Sequence, residues 1–176
     1  MRIETARLVL RRFRPGDAAA LAAYRSDPAV ARYQSWTPPV TAAAAAGLVR
    51  EFAAGDPAQP GWFQHAIEHR EDRCLVGDAG IHLHENRMQA DLGFTLARAR
   101  QGQGYGTEAV RAVVEYLFGQ GLRRVSAECD ARNAASARLL LRVGFRREGY
   151  RPAYTWLKGE WTDDLLFGLL AEQWQK

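Results

Sequence analysis

The stretch QGQGYGT, Gln101 to Thr107, sets glycine at alternate positions (Gly102, Gly104, Gly106) just before helical sequence. Glycine costs about 1 kcal/mol relative to alanine inside a helix, so its use three times at a helix entrance needs a reason. A helix N-terminus presents N–H groups without partners and the positive end of the helix dipole. Glycines there let backbone come close to a phosphate in conformations closed to other residues. The chemistry implied is anion binding, with a plain turn as the simpler alternative. Spacing removes two familiar phosphate sites. A P-loop requires Gly-Lys-Ser/Thr, and here Thr107 follows Gly106 with no lysine. A dinucleotide fingerprint needs G-x-G-x-x-G on a first strand, whereas G-x-G-x-G here falls mid-chain.

His82 and His84 stand two apart on a strand-like run and share a face, but no third ligand has convincing spacing. No metal is expected. Cys74 and Cys129 form neither a CxxC pair nor a ligand set, and both are read as reduced thiols. The net charge of +4 invites a nucleic-acid reading, yet lysine occurs only twice among the 24 basic residues. The arginines are scattered in short pairs such as Arg11-Arg12 and Arg146-Arg147, with no basic block. An arginine bias of that kind also follows from a GC-rich genome, so nucleic acid is not the expected partner. The opening MRIETARLVLRRF holds no apolar run of signal-peptide or membrane length, which leaves cytoplasmic residence and no membrane partner as the expectation.

The elements that must position these groups can be read from periodicity. With 176 residues, 47% of them hydrophobic and 25% charged, the chain suits one globular domain over 1–176. RLVLRRFR (7–14) predicts a strand. Asp17 then caps a helix over AAALAAYRS, AVARYQSW adds a turn or two, and Thr41 caps a helix ending near Gly55. WFQHAIEH, CLVGDAGIHLHE and QADLGFTLA predict an antiparallel meander. Beyond the glycines, TEAVRAVVEYLFGQG is a helix with Val110, Val113, Val114 and Leu117 on one face. RRVSAECDA is a strand, NAASARLLLRVG a helix capped by Asn133, and the chain closes as two strands around Lys158-Gly159. Strand–helix–strand order in the second half requires parallel pairing there. The expected fold class is α/β, a mixed central sheet of about seven strands with about four helices.

In this frame Gln101-Gly102-Gln103-Gly104-Tyr105-Gly106 resembles the coenzyme A pyrophosphate loop of the GNAT N-acetyltransferases. GDAGIHL, ADLGFTLA, RVSAECDARNAASARLLLRVGFRREG and W-x-K-G-E-W-x-D-D extend the likeness to the RimJ/RimL-like branch, over about Leu8 to Trp174. The resemblance implies strands splayed at a cofactor cleft, acetyl-CoA as cosubstrate, and acetyl transfer to a primary amine by direct attack in a ternary complex.

It also implies roles. Gly102, Gln103, Gly104, Tyr105, Gly106 and Thr107 grip the pyrophosphate, flanked by Arg100 and Gln101. The strand GFTLA, ending at Leu96-Ala97, offers backbone groups to the pantetheine arm, and Asn133 meets the arm from the opposite side. Glu128 matches a strand glutamate used as the base, with Asp91, Asp130 or water as alternatives. Many members carry a tyrosine seven residues after the asparagine. That position is Leu140 here, which cannot donate a proton, and Ser136 is the candidate hydroxyl for the leaving thiolate. His82 and His84 line the acceptor pocket or are simply exposed. Tyr33 and Trp36 are candidates to touch the acceptor, with core packing as the alternative.

The acceptor is a protein N-terminal α-amine or a small amine, and few acidic residues in Arg32–Pro39 favour a peptide or modest amine over a polycation. A homodimer is compatible with this reading. The rivals are a coenzyme A-binding sensor without turnover and an arginine-rich nucleic-acid binder.

Overall fold

Alternating apolar runs become a sheet of eight strands in the computed structural model, which describes residues 2–174, in the order β1-β2-β3-β4-β5-β6-β8-β7. Strands β1 (Ile3–Glu4), β2 (Leu8–Arg11), β3 (Gly61–His69), β4 (Leu75–Leu83) and β5 (Gln89–Leu96) pair antiparallel in succession. Strand β6 (Arg124–Asp130) joins β5 in parallel. The last hairpin, β7 (Arg146–Leu157) and β8 (Glu160–Leu170), places β8 between β6 and β7. The helices are α1 (Ala18–Ser26), α2 (Pro28–Ala31), α3 (Ala42–Ala54), α4 (Tyr105–Gly119) and α5 (Ala134–Val143). The strand beyond the predicted seven is β1, of two residues, and α2, of four, is part of the further turn expected from Ala29 onward. Neither is long enough to establish a period in sequence.

Successive residues of a strand point to opposite faces, and β3 shows the result. Ile67 packs with Val110, Val113, Val114 and Leu117 of α4, whereas Ala66 packs with Leu21, Tyr24 and Val49 of α1 and α3. Each face of the sheet thus has its own apolar cluster. Helix α4 is also the crossover that a parallel β5–β6 pair requires.

Thr41 and Asn133 cap their helices as predicted, each side chain accepting an N–H at 3.2 Å. Asp17 does not. Its two carboxylate oxygens accept from Arg11 at 2.7 and 2.8 Å, and one also accepts the Arg14 N–H. The Arg11 Nε donates to Glu68 at 2.7 Å, so a guanidinium and two carboxylates are buried together. A buried charge needs its partner more than α1 needs a cap.

Candidate active site

Strands β5 and β6 are paired only over Gln89–Asp91 and Arg124–Ser126. Beyond that they part, because β5 stays with β4 to Leu96 while β6 stays with β8 to Asp130. A cavity of about 560 Å³ fills the fork. Its walls are Leu92–Leu96 of β5, Glu128–Asp130 of β6, the glycine turn, the first half of α5, and Val30 and Tyr33 at α2. The splay expected from the resemblance is present.

The glycines divide into two kinds. Gly102 and Gly104 have φ of +73° and +83°, and Gly104 is the residue from which α4 starts. A Cβ at Gly102 would meet nothing within 4 Å, so backbone conformation and open space set the choice there. Gly106 lies inside α4, where a Cβ would stand 2.6 Å from Leu139 Cδ1 and 3.0 Å from Leu96 Cδ1. It is glycine because α4 packs close against β5 and α5.

The glutamines of the turn shape it from within. Gln101 Nε2 donates to the Leu96 carbonyl at 3.0 Å, and Gln103 Nε2 to the Ala99 carbonyl at 2.8 Å. Gln103 does not line the cavity. Outside the turn, Arg7 donates to the Gln103 carbonyl at 3.0 Å and to Glu108 at 2.7 Å, with its guanidinium over the Tyr105 ring. Burial opposes ionisation of Glu108, yet bonds from Thr5 and Arg7 outweigh it and hold the carboxyl below its usual range. Arg100 reaches the cavity while ion-paired with Asp72 at 2.6 Å. Thr107 accepts from Arg142 at 3.3 Å.

On β6, Glu128 and Asp130 share a face, as period two requires, and both line the cavity. Glu128 is exposed and ion-paired with Arg151. Asp130 is buried, which works against its charge. The Arg132 guanidinium and backbone N–H, at 2.7 to 3.0 Å, nevertheless keep it below the ordinary carboxylate range. Between them Cys129 also borders the cavity, half-buried beside Ser136, and burial pushes its thiol up to about 11. Ser136 sits in the first turn of α5 and lines the cavity with Asn133. Leu140 is fully buried in the core and carries no hydroxyl.

Tyr33 lines the cavity mouth, its hydroxyl donating to the Arg132 carbonyl at 3.3 Å. Lys158, at the tip of the β7–β8 hairpin, donates to the Ala31 carbonyl at the end of α2. Trp36 stays outside the cavity. It packs with the α1–α3 cluster, donates Nε1–H to the Arg25 carbonyl at 3.0 Å, and lies under the Arg25 guanidinium. Asp91 also lies outside. Its Oδ2 accepts from His82 Nδ1 at 3.2 Å and His84 Nε2 at 2.9 Å. Sequence spacing offered those histidines no third partner because Asp91 arrives by register, opposite His82 on the neighbouring strand.

A profile of the acetyltransferase (GNAT) domain matches residues 7–146. The chain belongs to the GNAT family. Its relatives include an uncharacterized N-acetyltransferase, YoaA, of Bacillus subtilis, 31% identical with 96% of each chain covered. Another is the [ribosomal protein uS5]-alanine N-acetyltransferase of Escherichia coli, 28% identical over 99% of this chain and 93% of that one. A GNAT-family acetyltransferase from Bacillus anthracis has a similar structure, with TM-score 0.88, 26% identity, and coverage of 98% of this chain and 99% of the other. The chain is thus an N-acetyltransferase, an enzyme of amine acetylation. No helix among the described residues is long and apolar enough to cross a membrane.

GNAT enzymes use acetyl-CoA, and the cavity suits it. Two left-handed glycines stand at a helix start, Gly102 opening onto free space, and an unpaired strand edge faces the fork. Arg138 and Arg142 of α5 add positive charge to the same wall. Sequence reading missed these two, although their i, i+4 spacing puts them on one helix face. It also missed Arg151, because nothing local to β7 indicates that its partner is on β6.

Proposed function

We propose that the chain carries acetyl from acetyl-CoA to the α-amine of a peptide, with both substrates in the cavity at once. The continuity of that one cavity carries the reading. It runs from the glycine turn, along the unpaired edge of β5, to Glu128 and Tyr33. The coenzyme supplies a thioester, and the remaining work is done by residues of the chain. The N–H groups of Gly102–Thr107 hold the pyrophosphate. Backbone groups of Gly93–Leu96 and the Asn133 amide align the pantetheine arm. Glu128 accepts the proton of the incoming ammonium, directly or through water, and Ser136 donates a hydrogen bond to the departing thiolate. Tyr33 borders the acceptor.

The choice of a peptide over a polyamine rests on charge. Glu128 is paired with Arg151, and Asp130 with Arg132. Both cavity carboxylates thus already have an arginine partner, which weakens their pull on a polycation. The uS5-alanine specificity of the Escherichia coli relative points the same way. Thiol release from acetyl-CoA, measured with alanine- and serine-initiated peptides beside spermidine and an aminoglycoside, is the test. Turnover is expected with the peptides. Turnover with the polyamine alone would overturn the acceptor class, and coenzyme binding without turnover on any amine would leave a sensor.

A further inference from the structure

Outside the acetyl-transfer cavity, three metal-ligating side chains converge on one exposed patch. His82 is on β4, His84 follows just past its last residue with its N–H donating to the Gln89 carbonyl at 3.0 Å, and Asp91 is the antiparallel partner of His82 on β5. Their ligand atoms all lie within 4.8 Å of one another. Each of the three side chains is between 34% and 42% exposed, so the patch is open to solution. Trp62 on β3 is opposite His82 in register and stacks on its ring at 5.2 Å, fixing the plane of that imidazole.

One feature separates this cluster from ordinary surface hydrogen bonding. A single oxygen, Asp91 Oδ2, is the focus of both rings, at 3.2 and 2.9 Å. Ligand atoms about 2.0–2.1 Å from a tetrahedral zinc ion stand about 3.3 Å apart. The separations to Asp91 already approach that value, so an ion needs small side-chain rotations and no backbone movement. It would take the place of the protons shared between rings and carboxylate.

We propose that His82, His84 and Asp91 bind a divalent transition cation of the zinc class, through two imidazole nitrogens and one carboxylate oxygen. The backbone of β4, β5 and the start of the turn between them presets the ligands, and water completes the coordination. Arg124 is the cationic neighbour whose charge Asp91 feels, but Arg124 is itself ion-paired with Glu148, which limits its repulsion of an ion. The site lies two residues along β5 from Gly93, a cavity wall residue, and is separate from the glycine turn.

Calorimetric titration of the full, metal-stripped chain with zinc sulfate tests the proposal. One equivalent is expected to bind. His84→Ala and Asp91→Asn should each weaken binding at least 10- to 100-fold, since even outer-shell changes cost that much at metal sites. The double variant His69→Ala/Cys74→Ser removes other donors near the β3–β4 turn and should leave the affinity unchanged. Circular dichroism confirms that each variant is folded. Absence of zinc binding, binding retained in His84→Ala and Asp91→Asn, or binding lost in the His69/Cys74 variant would each overturn the site.

Discussion

Arg151 reaches from β7 over the intervening strand β8 to ion-pair with Glu128 on β6, and the same guanidinium lies 3.5 Å from Asp164 of β8. The proposed base is therefore held in place by an arginine from another strand. Glu128→Gln is expected to lower kcat by about 10²-fold or more while the KM for acetyl-CoA changes little, because proton acceptance is lost and the coenzyme grip is not. The loss should be greatest at low pH, where the amine is most fully protonated. Arg151→Ala should lower kcat less than Glu128→Gln does, by freeing the carboxylate from its set position. Wild-type pH–rate profiles in Glu128→Gln would transfer the role to water.

The two kinds of glycine should fail in different ways. Gly104→Val forces a β-branched residue to φ +83° at the start of α4. We expect the KM for acetyl-CoA to rise at least tenfold. Gly106→Ala places a methyl against Leu139 and Leu96 instead. There the expected result is a loss of about 1–3 kcal/mol of stability from overpacking, read as a lower urea midpoint. A folded Gly104→Val with unchanged coenzyme KM would remove the turn from the phosphate site.

How far these residues could be found without coordinates depends on how locally each is specified. The glycine turn, the capped α5 and the alternating strands are written in short windows of sequence. The fork is what the resemblance to GNAT members implies, and chain order alone does not require β5 and β6 to part. Arg151, Arg138 and Asp91 are specified by register and crossing between elements, which a single sequence does not spell out. Asp17 shows the same limit in reverse. Its position before α1 favours a cap, but the buried Arg11, distant from a helix-capping motif, claims both of its oxygens.

Ser136 lines the cavity beside Cys129. Ser136→Ala should lower kcat by about 10²-fold, the lower end expected of a proton donor, with little change in coenzyme affinity. The neighbouring thiol, pushed up to about 11 by burial, has almost no thiolate at pH 8. Iodoacetamide should therefore label the exposed Cys74 and spare Cys129, as peptide mass mapping would show. Rapid labelling of Cys129 would contradict the raised thiol.

His65 supplies a pH test of stability. Burial, helped by the nearby Arg12 charge, lowers its pKa to about 3, so it is neutral in the fold through mild acid. An unfolded histidine takes up its proton near pH 6.5. The unfolded state thus binds more protons between about pH 6.5 and 3, and stability must fall as pH decreases through that window. The contribution is on the order of 1 kcal/mol per pH unit. Urea midpoints at pH 7.5, 6 and 5 should decline in the wild type and decline less in His65→Leu. Equal slopes would show that other groups dominate.

Lys158 and Ala31 are 127 positions apart in the chain, and their contact joins the hairpin tip to α2 at the cavity mouth. Contacts of such span are costly to form early, because a long loop must close before it is rewarded. During synthesis the coenzyme-side turn, together with β2 to β6 and α4, emerges well before the hairpin. The two halves of this enzyme thus mature on different schedules. A ribosome-bound chain carries the whole glycine turn before the hairpin is translated, so the Lys158–Ala31 contact that joins the two sides of the cavity mouth is among the last the nascent protein can make.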